Sequence, residues 1–293
     1  MIINGKTRVC GLIGNPVEHT MSPTIHNTIA TIEEDNMVYV PFLVEKDLQT
    51  AINGAYAMDI HGINVTVPYK SDVISSIVEI DYEAEIIGAV NTLVRKEDGY
   101  KGYNTDLLGL ERALRSEGID ISKEKVIVVG AGGAARAAAF LCAFRNAKEI
   151  VILNRTVEKA EKIKEEIEDK TEYGKIKVYS IQNWNQIEEN DYLVIQATKV
   201  GMYPNSAESP IEESDFFSKA KFVFDLIYTP FETKFMKIAA QMGVPVSNGL
   251  KMLLYQGVAA YEMWFDKQIK DTTVEVAYKE LLKLFGMGSM KDE

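Results

Sequence analysis

Gly130-Ala131-Gly132-Gly133-Ala134-Ala135 has the form G-x-G-x-x-A and closes the β-branched run Lys125–Gly130. Glycines at this spacing let backbone N–H groups approach a pyrophosphate, and the dipole of the following helix favours the negative charge. A tight turn that needs small residues only for packing would look the same; the strand–turn–helix context favours dinucleotide binding. A second apolar run, Glu149–Leu153, ends in Leu153-Asn154-Arg155-Thr156, with Lys159 one helical turn on. An NAD-binding unit usually carries Asp or Glu here for the ribose 2′-hydroxyl. A carboxylate would repel a 2′-phosphate, whereas Arg155 can pair with it or stack on the adenine. One charge-assisted bond of ~1.5–3 kcal/mol corresponds to a preference for NADP of roughly 10- to 150-fold. The other reading of Arg155 and Lys159 is a pair of solvated helix-start charges, and Glu158 and Glu161 dilute their field.

Three further polar clusters fall at strand ends or turns: Glu18-His19-Thr20-Met21-Ser22-Pro23, Asn64-Val65-Thr66-Val67-Pro68-Tyr69-Lys70 and Asn104-Thr105-Asp106. A hydroxyl-rich turn at a helix start can hold a carboxylate. Ser22-Pro23 is equally explained as an N-cap followed by Pro at the first helical position. Strand alternation predicts Asn64 and Thr66 on one face, with Val65 and Val67 on the other. Lys70 is expected to begin a helix after Pro68; taken alone, it reads as a surface lysine.

These clusters need a frame. Short Val/Ile runs alternate with helix-period stretches almost throughout, the pattern of an α/β protein with mostly parallel strands. In the first third, Val9–Gly14, Met37–Val44 and Ile63–Val67 read as strands, with helices near Pro23–Glu34 and Asp47–Met58. Ala89–Arg95 and Tyr100–Asn104 flank the turn Glu97-Asp98-Gly99 and predict a hairpin, hence a mixed sheet. The helix Asp106–Glu117 leads to the βαβ unit around Gly130, followed by strands at Tyr192–Gln196, Lys221–Ile227 and Val244–Val246. A helix at Glu232–Met242 and two between Leu250 and Phe285 complete the pattern. The expected domains are residues 1–105, completed by 248–293, and residues 106–247.

The 293 residues include 32 Lys+Arg and 43 Asp+Glu, a net charge of −11 that argues against a nucleic-acid face or an anionic membrane surface. Cys10 and Cys142 are too far apart in the sequence for a C-x-x-C site and read as small buried residues. His19, His26 and His61 lack metal-ligand spacing, so no metal is expected. No signal peptide or long apolar span is evident, and the chain reads as soluble and cytoplasmic.

Taken in order, Gly11-Leu12-Ile13-Gly14-Asn15-Pro16 through His26-Asn27, Asn64–Lys70, Gly88-Ala89-Val90-Asn91-Thr92, Gly102–Asp106, Val129–Ala134, Asn154-Arg155-Thr156 and Asn248-Gly249-Leu250 resemble the successive motifs of the shikimate dehydrogenases. The resemblance implies an α/β, two-domain protein. Both chain ends form a mixed-sheet substrate domain, a Rossmann-like NADP-binding domain lies between them in sequence, and the site is in the cleft. It implies Lys70 and Asp106 as the catalytic pair, and Thr20, Ser22 and Tyr228 around the substrate carboxylate. Asn64, Thr66, Asn91 and Gln256 fall around the ring hydroxyls and C3. Gly130, Ala131, Gly132, Gly133, Ala134, Asn154, Arg155, Thr156, Lys159, Thr198 and Gly249 fall at cofactor positions.

The implied reaction is reversible reduction of 3-dehydroshikimate by NADPH, with Lys70 as proton donor. This chain departs from the family pattern in three places. Thr20 stands where Ser is usual, Lys159 replaces the usual Arg and loses its bidentate fork. Gln196-Ala197-Thr198-Lys199-Val200-Gly201-Met202 resembles the quinate/shikimate branch. The alternatives are therefore a dehydrogenase with broader substrate and NAD/NADP use, or a catalytically silent dinucleotide sensor. The partner expected is the small-molecule substrate; the oligomeric state stays open, a homodimer among the alternatives.

Overall fold

Strands buried on both faces need apolar side chains at every position, and the Val/Ile runs meet that demand. In the computed structural model, which describes residues 3–287, these runs build two six-stranded sheets. The first part of the chain contains β1 (Arg8–Gly14), α1 (Ser22–Ile32), β2 (Met37–Leu43), α2 (Leu48–Ala57), β3 (Gly62–Val65), β4 (Glu79–Ile80), α3 (Tyr82–Ile87), β5 (Thr92–Arg95), β6 (Tyr100–Tyr103) and α4 (Thr105–Ser116). Next come β7 (Lys125–Val129), α5 (Gly133–Phe144), β8 (Glu149–Asn154), α6 (Val157–Lys170), β9 (Ile176–Ser180), β10 (Tyr192–Gln196), β11 (Ala220–Asp225), α7 (Lys234–Gln241) and β12 (Val246–Asn248). The helices α8 (Leu250–Phe265) and α9 (Asp271–Leu284) follow.

The chain divides into two units, Met1–Gly109 with Leu253–Glu293, and Leu110–Met252. Both changes of unit fall inside helices, α4 and α8, a few residues beyond the boundaries expected from pattern. Residues 1, 2 and 288–293 of the expected first domain lie outside the described residues.

The first sheet has the order β2-β1-β3-β5-β6-β4. It is mixed: β1 runs parallel to β2 and β3, whereas β5 is antiparallel to β3 and to β6. The hairpin is therefore present, but its first strand starts at Thr92 rather than Ala89. Ile13, Ile63, Val65, Leu93 and Tyr100 form part of the core on this sheet. All four residues of β3 are buried. The strand ends at Val65, so Val67, expected to share its face, is 64% exposed. Lys70 lies in the turn that follows, not at a helix start; a short 3-10 helix begins only at Asp72.

The second sheet reads β9-β8-β7-β10-β11-β12, with every pair parallel. This is the strand order of doubly wound dinucleotide-binding sheets, whose ligands gather beyond the carboxyl ends of the strands where the order reverses. Here that point lies between β7 and β10. Ile127, Val129, Val151, Val194, Phe217 and Phe235 pack in its core. Strand β9, whose alternation is weak in Ile176-Lys177-Val178-Tyr179-Ser180, and the short β4 and α3 escape the sequence pattern. Cys10 and Cys142 are free and buried, and burial pushes the Cys142 thiol up to about 12.

Candidate active site

In the first unit, Lys70 follows the end of β3 and Asp106 lies in the first turn of α4, where the dipole favours a carboxylate. Lys70 Nζ stands 2.5 Å from Asp106 Oδ2, with the two side chains 32% and 23% exposed. A pair this open to water adds little stability, but it keeps an ammonium fixed in an accessible place. The Lys70 carbonyl accepts from Val90 N at 2.7 Å, which anchors the lysine beside Asn91.

Asn91 and Asn104 cap the start of α4. Asn91 Oδ1 accepts from Thr105 N at 2.7 Å, and Asn104 Oδ1 accepts from Asp106 N at 3.1 Å. The hydroxyls of Thr92 and Thr105 lie 2.9 Å apart, each 3.1 Å from Asn91 Oδ1. Because the Thr105 N–H requires an acceptor, the Asn91 amide is oriented with Nδ2 away from it. Asn91 is 2% exposed, and none of the hydrogen bonds among the described residues is donated by its Nδ2. Asn64 is buried beside it: Nδ2 donates to Asn91 O and to Thr92 Oγ1, and Oδ1 accepts from the Tyr39 hydroxyl at 2.8 Å.

Before α1, the Thr20 hydroxyl donates to Ser22 Oγ at 3.2 Å and accepts from Ser22 N at 3.3 Å. The helix cap falls at Met21, without a side-chain bond. Ser22 is the first helical residue, which removes the N-cap account of its hydroxyl. Thr66 is half-buried after β3, and the Gln256 amide turns back to its own helix, donating to Leu253 O at 2.9 Å. Neither bonds to the Asn64–Asn91 cluster.

The second unit presents backbone instead of side chains. Gly130 has φ +120, and a Cβ there would meet Thr198 Cγ2 at 3.0 Å, so this turn admits only glycine. A Cβ on Gly132 or Gly133 would meet nothing within 4 Å, and Gly132, Gly133 and Ala134 are exposed while Ala131 is half-buried. The N-cap of α5, Gly132, has no side-chain bond. The turn is thus an open cradle with free helix N–H groups, the shape a pyrophosphate needs.

At the end of β8, Asn154 Nδ2 donates to Thr156 O at 2.8 Å and shapes the turn. Arg155, Thr156 and Lys159 are exposed, and neither Arg155 nor Lys159 has an ion-pair partner among the described residues. They fit a 2′-phosphate clamp. Gly249 has a packing reason of its own: a Cβ would stand 2.1 Å from Leu226 O. Tyr228 is half-buried, burial raises its phenol, and its hydroxyl has no partner among the described residues.

Thr198 stands on a network that the sequence did not announce. Gln196 Oε1 accepts from Thr198 N at 2.5 Å, and Gln196 Nε2 donates to Asp225 Oδ1 at 3.2 Å. Asp225 also accepts from Ile227 N at 3.0 Å and from the Thr233 hydroxyl at 2.6 Å. Burial nonetheless pushes its carboxyl up to about 6, against those three bonds. The departure of Gln196 from the usual Asn pattern marked the position, but nothing in sequence showed that Asp225 is buried. Thr92 and Thr105 lay inside recognised motifs; Tyr39, one aromatic in an apolar run, carried no signal at all.

Residues 12–93 match the family model described as the shikimate dehydrogenase substrate binding domain, and residues 111–226 match shikimate / quinate 5-dehydrogenase. A shikimate dehydrogenase (NADP(+)) of Methanocaldococcus jannaschii is 42% identical over 265 residues, covering 90% of this chain and 93% of the relative. A crystal structure of a shikimate dehydrogenase in complex with NADP+ superposes with a TM-score of 0.87 at 39% identity, covering 97% of both chains. The Listeria monocytogenes shikimate 5-dehydrogenase in complex with shikimate and NAD gives 0.87 at 35% identity, covering 96% of this chain and 98% of that one.

Proposed function

The chain belongs to the shikimate dehydrogenase family, and from that premise we propose how its residues perform the reversible NADPH-dependent reduction of 3-dehydroshikimate to shikimate. The protein is an NADP-dependent oxidoreductase acting on a CH–OH group, in the shikimate pathway of aromatic amino-acid biosynthesis. NADPH supplies the hydride when bound. Lys70 protonates the oxygen that develops on C3, acting as the positioned general acid. Asp106 fixes the ammonium in place and receives no proton itself. In the oxidative direction the same lysine accepts the hydroxyl proton.

Thr20 and Ser22 hold the substrate carboxylate with their hydroxyls, that of Ser22 being free of any role as helix cap, and Tyr228 adds a phenol. Asn91 offers its free Nδ2 to a ring hydroxyl; Asn64 and Thr66 line the same end, and Gln256 lies near C3. Gly130, Ala131, Gly132, Gly133 and Ala134 receive the pyrophosphate on backbone N–H groups. Asn154 shapes the turn in which Arg155, Thr156 and Lys159 meet the 2′-phosphate, while Thr198 and Gly249 border the cofactor. The small-molecule substrate is the only partner the reading requires. Two buried free thiols suit a reducing, cytoplasmic setting, and no helix among the described residues is long and apolar enough to cross a membrane.

The observation that carries the enzymatic reading is the Lys70–Asp106 contact, for which a silent sensor has no use. A second reading, broader use of quinate and NAD, draws on Lys159 in place of Arg and on the relative holding NAD. One matrix of rates, shikimate and quinate each with NADP and NAD, tests both. The expected maximum is shikimate with NADP; comparable rates with NAD would favour the broader reading, and turnover only of quinate with NAD would sink the first.

A further inference from the structure

Strand β2 is the outer edge of the first sheet, so the N–H and C=O groups on its free side lack a strand partner. At Tyr39 a side chain takes that place. Asn27 Oδ1 accepts from Tyr39 N at 2.8 Å, and Asn27 Nδ2 donates to Tyr39 O at 3.0 Å. The neighbouring His26 stacks on the Tyr39 ring, centroids 4.2 Å apart at 15°, and Trp264 tilts against the other two rings at 5.0 and 6.1 Å. A Cβ on Gly257 would stand 3.1 Å from Ile25 Cγ2 and 3.5 Å from His26 Nε2, so glycine lets α8 close over the histidine. Tyr39 is therefore clamped at both backbone and ring, and its buried hydroxyl, which also lies beside the Ser22 side chain, donates to Asn64 Oδ1 at 2.8 Å.

We infer that Tyr39 is a positioning residue for the substrate site: held by the His26-Asn27 pair, it fixes the Asn64 amide and, through it, the Asn91–Thr92 network at the ring-hydroxyl end. The Asn64 amide has two rotational states that differ by exchange of its oxygen and nitrogen. The carbonyl of Asn91 accepts only from the nitrogen, and the Tyr39 hydroxyl donates to the oxygen left on the other side, so the two together hold the state in which Nδ2 meets Asn91 O and Thr92 Oγ1. Burial lowers the His26 imidazole to about 3 against a weaker opposing contact with the Asn64 side chain, so a neutral flat ring is what the stack uses. The inference rests on the assignment of Asn64 to the substrate site made above.

Tyr39→Phe keeps the ring and the Asn27 clamp and removes only the hydroxyl. The KM for shikimate should rise roughly 2- to 12-fold, the range for one neutral hydrogen bond, with the KM for NADP unchanged. His26→Ala should reproduce the rise and His26→Phe, which restores a flat ring, should abolish it. Nuclear magnetic resonance supplies a readout without substrate: the Asn64 side-chain amide protons should exchange with solvent several-fold faster in Tyr39→Phe. An unchanged KM for shikimate, an equal rise in both KM values, or unchanged amide exchange would each overturn the inference. If His26→Ala does not fold, Tyr39→Phe decides alone. Absence of shikimate turnover in the wild type would sink the proposed function only, because the exchange comparison still decides the role of Tyr39.

Discussion

In the first unit the groups facing a ligand are side chains held from behind by other side chains. Asn91 is oriented by Thr105, Asn64 by Tyr39, and Lys70 by Asp106. In the second, the turn Gly130–Ala134 offers N–H groups and no side chain larger than a methyl; Gly130 N donates to Leu153 O, and Gln196 and Asp225 hold the neighbouring Thr198. The two arrangements answer different ligands. A ring with several hydroxyls needs donors and acceptors of assigned orientation, which amides supply only when every other hydrogen bond is satisfied. A phosphate needs positive potential and close approach, which backbone and glycine supply without orientation. The buried polar groups named in the first unit's floor are neutral; behind the second site lies a carboxylate.

The largest expected effect breaks the first arrangement at its ammonium. Lys70→Ala should lower kcat about 10²- to 10⁴-fold, the usual yield of a positioned acid/base, while direct titration finds NADPH affinity unchanged. Loss of cofactor affinity in parallel would mean that the two regions do not act separately.

The next effect concerns the carboxylate behind the phosphate turn. Asp225 titrates near 6 when folded, above its ordinary 3.8, so its ionised form opposes folding. This contribution is absent below about pH 4, grows as pH rises to about 6 and is constant above, a loss on the order of 3 kcal/mol. Asp225→Asn removes it. The unfolding free energy of the variant minus that of the wild type, from urea melts, should therefore increase by about that amount between pH 4 and 7. A difference independent of pH would show that Asp225 is solvated and carries no buried charge.

The smallest effect sharpens the comparison at the exposed rim. Arg155→Ala should reduce the preference for NADP over NAD, measured as the ratio of kcat/KM values, by roughly 10- to 150-fold, with kcat at saturating cofactor unchanged. A fall confined to the low end would assign much of the clamp to Lys159.

The alternation of apolar runs and helix-period stretches made the α/β class legible, because strands covered on both faces are built mostly of apolar residues. The phosphate turn was legible for a similar reason: Gly130 adopts a φ closed to other residues, and Gly132 and Gly133 leave the space above the helix N-terminus open. Strand β9 was not, since an edge strand half open to water carries lysine and serine among its apolar residues. The Ser22 hydroxyl had two accounts from spacing alone, and one of them fell only when the cap appeared at Met21.

The order of the motifs, the glycine turn and the residue types at each position are properties of the chain, and they determined the family, the fold class and the sign of charge offered to each ligand. Which polar atoms remain free for a ligand was decided by tertiary structure. Hydrogen-bond capacity is consumed by partners distant in sequence: Asn91 by Thr105, Asn64 by Tyr39, Gln196 by Asp225. An amide or carboxylate shows its function only after that count is made, and only the folded chain makes it.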